Sequence, residues 1–303
     1  MSGPYWGIDL GGTKIEGVVF DTFEDLNVLA RMRLPTEREK GYQHILNQIQ
    51  KLVESMATHV GVRPEIIGIG TPGTLDPQTQ KLKNSNTTCL NGQYLKTDLE
   101  AVLGIPLRMA NDANCFALAE TKLGIVREKV PNANVVWGII MGTGTGSGIV
   151  VGGKVLSGLH GIGGEWGHNF LDESGGPCYC GHFGCTEMVI SGPALSKYYA
   201  SLTGEELPMA EIVKRFERGR EEAAQMTMER LLHFFGMAVA RVINIIDPDA
   251  IVIGGGLGNI ELLYDRGPFE VAKHIFNDRL ATPFLKPKLG DSAGVFGAAL
   301  LTV

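Results

Sequence analysis

Two well-separated segments of this chain share one design, and that design limits the folds open to it. Tyr5–Asp9 and Glu16–Phe20 are short apolar runs joined through Gly11-Gly12, and Val135–Met141 and Ile149–Val151 are joined through the glycine loop Gly142–Gly148. Short apolar runs punctuated by glycine read as strands. Each segment opens a stretch in which strand and helix patterns alternate, which argues an α/β architecture. In the first stretch Arg31–Leu34 adds a strand, and Tyr42–Thr58 carries Ile45, Ile49, Leu52, Val53 and Met56 near helical spacing. Ile66–Gly70 and Leu107–Ala110 are further strands, and Ala113–Lys122 has helical composition with Asp112 as its N-cap. In the second, Met226–Ile246 reads as a helix apolar on most faces, hence buried between layers. Pro248 stops it, Ala250–Ile253 is a strand running into Gly254-Gly255-Gly256, and Ser292–Leu300 is a short helix rich in Gly and Ala. Two such units facing each other bring two glycine turns to one cleft, a geometry suited to a phosphate chain.

Composition narrows the function classes. Glycine supplies 41 of 303 residues, well above the usual share of about 7%, and it is clustered, which points to tight turns rather than low complexity. Formal net charge is −6, so the bulk charge carries no footprint for nucleic acid. No apolar run approaches the roughly 18 residues of a membrane span, and no signal-peptide pattern opens the chain. The five cysteines are Cys89, Cys115, Cys178, Cys180 and Cys185. Their odd number and crowding do not match a secreted disulfide framework, so a reducing cytoplasm is expected.

Glycine turns expose backbone N–H groups that cradle anionic oxygens. Gly11-Gly12-Thr13-Lys14 adds a hydroxyl and an ammonium to such a turn, and Gly142-Thr143-Gly144-Thr145-Gly146 adds two hydroxyls. Taken singly each is a tight hairpin turn; at equivalent places in two units they favour phosphate binding. A dinucleotide-type match at Gly68-Ile69-Gly70-Thr71-Pro72-Gly73 runs into loop composition where a helix is required, and is a false positive. Asp9 ends the strand before the first turn, where a carboxylate either caps the turn or holds a nucleotide's Mg²⁺ through water. Asp112, in Asn111-Asp112-Ala113-Asn114, either caps a helix or accepts a hydroxyl proton, and spacing leaves both open.

His168, Cys178, Cys180 and Cys185 provide one imidazole and three thiolates, the composition of a closed structural zinc site, with Gly181 and Gly184 allowing the sharp turns. Glu165 and Glu187 flank that cluster. They are either carboxylates presented to the hydroxyls of a polyol or supports of the metal site.

Together Asp9–Lys14, Asn111–Asn114, Gly142–Gly146, Glu165-x-x-His168, Cys178-x-Cys-Gly-x-x-x-Cys185-x-Glu187 and Asp247–Gly256 resemble the ROK family (repressors, open reading frames, sugar kinases), in order along nearly the whole chain. Lys83–Gly92, Gly164–Asn169 and Pro177–Gly181 are similar in particular to bacterial manno(fructo)kinases, except that Cys89 stands where an aromatic side chain is expected. The resemblance implies an actin-like, hexokinase-type fold with ribonuclease H-like motifs. Its two domains would span 1–120 with the returning helix 291–303, and 121–290, around a nucleotide cleft. It implies ATP-dependent phosphorylation of a hexose primary hydroxyl, fructose first and mannose second, with N-acetylglucosamine, N-acetylmannosamine or glucose as alternatives. It also implies Asp112 as general base, sugar binding by Asn86, Asn111, Asp112, Glu165, His168 and Glu187, and zinc on His168 and the three cysteines. Asp9, Gly11, Gly12, Thr13, Lys14, Gly142, Thr143, Gly144, Thr145 and Gly254, Gly255 and Gly256 would hold ATP, with Mg²⁺ as its counter-ion. A cytoplasmic homodimer is expected. Repressors of the family carry a DNA-binding domain before the sugar-binding part, whereas four residues precede Tyr5 here.

Overall fold

The computed structural model describes residues 4–22 and 26–303. The chain divides into two compact units, Met1–Gly124 with Lys154–Gly163 and Leu289–Val303, and Ile125–Gly153 with Gly164–Lys288. The sequence division at residue 120 placed 154–163 in the second unit. That segment groups with the first, and within it Gly161 (φ +70°) lies so close to Thr74 that a Cβ there would sit 2.6 Å from Thr74 Cγ2. Spacing along the chain carries no trace of such a contact. Among the described residues no helix is long and apolar enough to cross a membrane.

The first unit is built on a sheet of five strands in the order Val28–Pro35, Lys14–Phe20, Tyr5–Leu10, Ile67–Thr71 and Leu107–Asn111. The first two pairings are antiparallel and the last two parallel. Ile8, Leu10, Ile15, Val18, Val19 and Phe20 are fully buried, so the paired strands are apolar on both faces and must be covered on both. The helix Tyr42–Val60 covers one face with Ile45, Leu46, Ile49, Leu52, Val53 and Met56. It approaches closely at Gly17, where a Cβ would fall 2.6 Å from the Met56 sulfur and the Met56 side chain would have to move. Gly7 and Gly68, paired neighbours in the sheet, admit the C-terminal helix Ala293–Leu300: Cβ atoms there would lie 2.3 Å from Val295 O and 1.7 Å from Ala298 O. Backbone therefore rests on backbone, which is why that helix is rich in Gly and Ala.

Glu16 is a carboxylate sunk into this hairpin. It is 1% exposed and pairs with Arg31 at 2.6 Å and Arg33 at 2.9 Å from the neighbouring strand. Burial raises its pKa, but hydrogen bonds from Arg33 and Arg31 and their charges outweigh that and hold it low. Glu16→Ala removes these charge-assisted bonds and is expected to cost about 2 kcal/mol, read as a lower urea midpoint at unchanged m-value.

Several local expectations shift. The helix after Leu107–Asn111 begins at Asp112 itself, and its cap is Asn111, whose Oδ1 accepts from the Ala113 N–H at 2.8 Å. Asp112 is thereby the first helical residue and not the cap. No helix follows Gly73: Thr74–Leu75 pairs antiparallel with Leu82–Lys83, as expected for a false dinucleotide match.

The second unit repeats the hairpin. Val135–Met141 pairs antiparallel with Thr145–Val151, and Ala250–Gly254 and then Phe284–Leu285 add in parallel. The strand after the glycines starts at Thr145, four residues earlier than Ile149, because Met141 pairs directly with Thr145. The turn proper is therefore only Gly142–Gly144. The long helix starts at Glu222 and runs to Ile246. It buries Met228, Leu231, Leu232, Phe235 and Val239, but Gln225, Glu229, Arg241 and Ile245 face water. It is a covering helix and not one enclosed between layers.

Candidate active site

In the first unit the turn Gly11–Thr13 is held from below by Thr36. Its hydroxyl donates to Gly11 O at 2.7 Å and its N–H to Thr13 O at 3.0 Å. With those two carbonyls occupied, the turn is fixed by its acceptors. Lys14 begins the next strand, with its ammonium 3.5 Å from Glu16.

Asp9 lies at the end of the preceding strand, against two bare backbones. A Cβ on Gly294 would be 3.3 Å from its carboxylate carbon, and one on Gly70 would be 3.5 Å from Oδ1. Burial, then the charges of Asp112 and Glu16, push its pKa up to about 6, against a smaller downward pull from Lys14. Water reaches Asp112, but dense protein surroundings still desolvate it and raise its pKa, opposed by hydrogen bonds from the Ala113 N–H and Asn111. Two carboxylates that repel one another form a donor set of hard oxygens, which suits a hydrated divalent cation. Cys115 is buried beside both, and burial followed by those two charges drives its pKa well up, so it stays a neutral thiol.

In the second unit three glycine positions meet. The parallel pairing of Ile140 with Gly254 carries Gly254–Gly256 alongside Gly142, whose Cβ would be 3.6 Å from Gly256 N. Gly255 has φ +78° and would place a Cβ 2.3 Å from Met141 O, so no other residue fits. Glu187, an expected sugar ligand, reaches this turn: its Oε2 accepts from the Thr145 N–H at 2.8 Å. A Cβ on Gly144 would lie 2.6 Å from that oxygen. Thr145 itself is 3% exposed, and its hydroxyl has no partner among the described residues.

The segment Gly164–His168 is sewn onto the strand Thr145–Val151. Ser147 Oγ donates to Gly164 O at 2.6 Å and Trp166 Nε1 to Gly146 O at 3.1 Å. Gly167 is obligatory, since a Cβ would collide with Thr145 O at 1.8 Å. The pattern Gly-Glu-Trp-Gly-His thus fixes Glu165 and His168 relative to the glycine turn by backbone contact.

His168 also belongs to a four-residue cluster. One ligand atom from each of His168, Cys178, Cys180 and Cys185 lies within 4.8 Å of all the others. The Cys180 and Cys185 sulfurs are 3.6 Å apart, and His168 Nδ1 is 3.7 Å from Cys178 Sγ. A tetrahedral zinc with sulfur at about 2.3 Å sets ligand separations of about 3.8 Å, so the donor set and its size fit that ion. Burial pushes the Cys185 thiol up to about 12 and raises Cys178, whereas hydrogen bonds at Cys180 from the His182 N–H and neighbouring thiols outweigh its burial and lower it.

Sequence reasoning missed Tyr179. Its hydroxyl lies 3.1 Å from His168 Nε2, the ring nitrogen turned away from the cysteines and expected to meet sugar. A lone exposed tyrosine inside a cysteine motif gives no sequence signal for that contact. The loop carrying Asn86 is shaped by another unflagged residue, Asn91, which accepts from the Ser85 N–H at 2.8 Å and donates to Ser85 O at 2.9 Å. Asn86 itself is exposed.

The ROK family profile matches residues 5–303. The chain is 36% identical over 309 aligned residues to an N-acetyl-D-glucosamine kinase of Aliivibrio salmonicida, covering 99% of each. Among solved structures it is similar to the ROK hexokinase of Thermus thermophilus, with TM-score 0.87, 31% identity, and coverage of 99% of this chain and 97% of that one. It is also similar to a ROK family glucokinase of Streptomyces griseus in complex with glucose and AMPPNP, with TM-score 0.77, 28% identity and 99% coverage of both chains. The fold is the actin-like, hexokinase-type α/β fold that the motifs imply.

Proposed function

Because this chain belongs to the ROK family, we propose that it is an ATP-dependent kinase acting on the primary hydroxyl of a hexose or N-acetylhexosamine. The observation that carries this reading is the pair Asp9 and Asp112, two mutually repelling carboxylates in the unit that bears the turn Gly11–Thr13. That arrangement suits a phosphate chain with its cation on one side and a hydroxyl to be deprotonated on the other.

In this reading Asp112 takes the proton of the sugar hydroxyl. The freed oxygen attacks the terminal phosphorus of ATP, the bond to the bridging oxygen breaks, and ADP leaves. Little covalent work falls to the protein, so positioning and charge supply most of the acceleration. Asp9 would hold Mg²⁺, which would offset phosphate charge. Gly11, Gly12, Thr13 and Lys14 are the residues for phosphate oxygens, and Gly142, Thr143, Gly144, Thr145 and Gly254–Gly256 are those for nucleotide. Asn86, Asn111, Glu165, His168 and Glu187 bind sugar hydroxyls. His168, Cys178, Cys180 and Cys185 would hold zinc, which supplies a rigid anchor for the imidazole and for Glu187 two residues after Cys185.

For the acceptor, the relatives named N-acetyl-D-glucosamine kinase support an N-acetylated sugar better than the fructose suggested by the loop Lys83–Gly92. A coupled ATP-consumption assay over N-acetylglucosamine, N-acetylmannosamine, glucose, mannose and fructose decides. N-acetylglucosamine is expected to have the largest kcat/KM, by about tenfold or more. A preference for fructose moves the assignment back to the sugar-loop resemblance, and no turnover on any sugar removes the kinase reading.

A further inference from the structure

The space over Gly12 is bordered by two polar groups that none of the roles above uses. A side-chain carbon built on Gly12 would meet Arg38 Nη1 at 3.3 Å and Thr87 Oγ1 at 3.5 Å, with no other neighbour within 4 Å beyond the turn itself. Thr87 is 1% exposed, and its hydroxyl has no hydrogen-bond partner among the described residues. Leaving such a group unsatisfied costs about 1–3 kcal/mol, so a fold that keeps it invites an explanation. Arg38 is exposed. Its neighbours Glu37, Lys40 and His44 pair among themselves, which leaves Arg38 without an ion pair among the described residues.

These two groups are held in place by ties between three segments. Thr36, two residues before Arg38, donates its hydroxyl to Gly11 O at 2.7 Å. Cys89, two residues after Thr87, directs its thiol to Arg38 O at 3.7 Å. Thr87 accepts at its carbonyl from the Leu90 N–H at 3.0 Å and donates its own N–H to Ser85 Oγ at 3.1 Å. The turn, the Arg38 segment and the loop of Asn86 are therefore one assembly within the first unit. Cys89, where an aromatic side chain was expected, is one of its fastenings.

A guanidinium presents planar N–H donors suited to phosphoryl oxygens, and a free hydroxyl adds a donor from another direction. The bare Cα of Gly12 lets an anion approach both. We propose that Arg38 and Thr87 hold the phosphoryl group during transfer, forming with Gly12 a subsite for the terminal phosphate of a nucleoside triphosphate. This rests on the kinase reading. The cation that Lys14 supplies is shared with Glu16, whereas that of Arg38 is uncommitted and can meet charge developing on the transferred group.

The test compares a non-hydrolysable ATP analogue with ADP by calorimetry, and kcat with KM, in wild type, Arg38→Met, Arg38→Lys and Thr87→Val. Wild type is expected to bind the analogue more tightly than ADP, and Arg38→Met to lose that difference while ADP affinity changes less than about threefold. Arg38→Met should lower kcat about 100-fold or more with little change in sugar KM, and Arg38→Lys should restore part of it. Thr87→Val should lower kcat about tenfold while melting temperature holds or rises, because an unpartnered buried hydroxyl is removed. Loss of kcat together with a lower melting temperature in Thr87→Val marks a packing role and overturns its share. Arg38→Met with kcat within about threefold of wild type and an intact preference for the analogue overturns the subsite. If wild type phosphorylates no sugar, the kinase reading falls, and the analogue-against-ADP comparison still decides Arg38. Wild type that binds neither nucleotide overturns both.

Discussion

Asp112→Asn is expected to lower kcat by about 10³-fold or more while sugar affinity changes by less than about threefold, since the amide keeps the shape and loses the base. The amide oxygen of the variant can still accept from the Ala113 N–H, and the Asn111 cap is untouched, so the helix Asp112–Lys122 should remain intact. The pH profile supplies an independent check. A base works only when ionised, so a raised pKa moves loss of activity toward neutral pH. Burial raises Asp112, and burial with the charges of Asp112 and Glu16 raises Asp9 to about 6. The wild-type rate should therefore begin to fall at a higher pH than the usual carboxylate value of about 4 implies. The residual rate of Asp112→Asn should lose the part of that limb belonging to Asp112. Near-normal turnover in the variant would sink the base assignment.

Disruption of the cluster of His168, Cys178, Cys180 and Cys185 is expected to be the second large effect. Cys185→Ser is expected to reduce bound zinc from about one per chain to well below one, and to raise sugar KM about tenfold or more. The second unit keeps a large core of its own, including Trp137, Ile139, Phe235, Ile251 and Ile253, so it should stay folded while the segment 168–187 loosens. His168 and Glu187 would lose their common anchor, and Glu187 would also release the Thr145 N–H at the glycine turn. Sugar binding should therefore suffer more than nucleotide binding. Metal analysis of protein never exposed to chelator, followed by calorimetry with sugar and nucleotide separately, checks both halves. A variant with unchanged sugar affinity and no zinc would separate the metal from the sugar site.

The reading of the sequence succeeded where the physics is local. A glycine turn between apolar runs is a hairpin wherever it occurs, and both hairpins formed with residue-by-residue pairing. One imidazole and three closely spaced thiols can converge whatever surrounds them, and they do. It failed where a choice depends on a distant partner. Asp112 and Asn111 are both capable caps and both accept from the Ala113 N–H; Asn111 is the cap because its backbone is still extended where that of Asp112 is already helical. The end of the second glycine loop was misplaced because Thr145 is strand only by virtue of facing Met141. Composition makes the long helix look enclosed, yet Gln225, Glu229, Arg241 and Ile245 on it are exposed.

What the sequence by itself determined is the set of chemical parts: two glycine turns, a base candidate, a thiol cluster, and the order that marks the family. Tertiary structure decided how those parts engage. It placed Glu187 on the Thr145 N–H, Tyr179 on the second nitrogen of His168, and Arg38 with Thr87 over Gly12. Residue type and spacing specify which bonds a side chain can make. Which one it makes is set by the backbone brought against it from elsewhere in the chain.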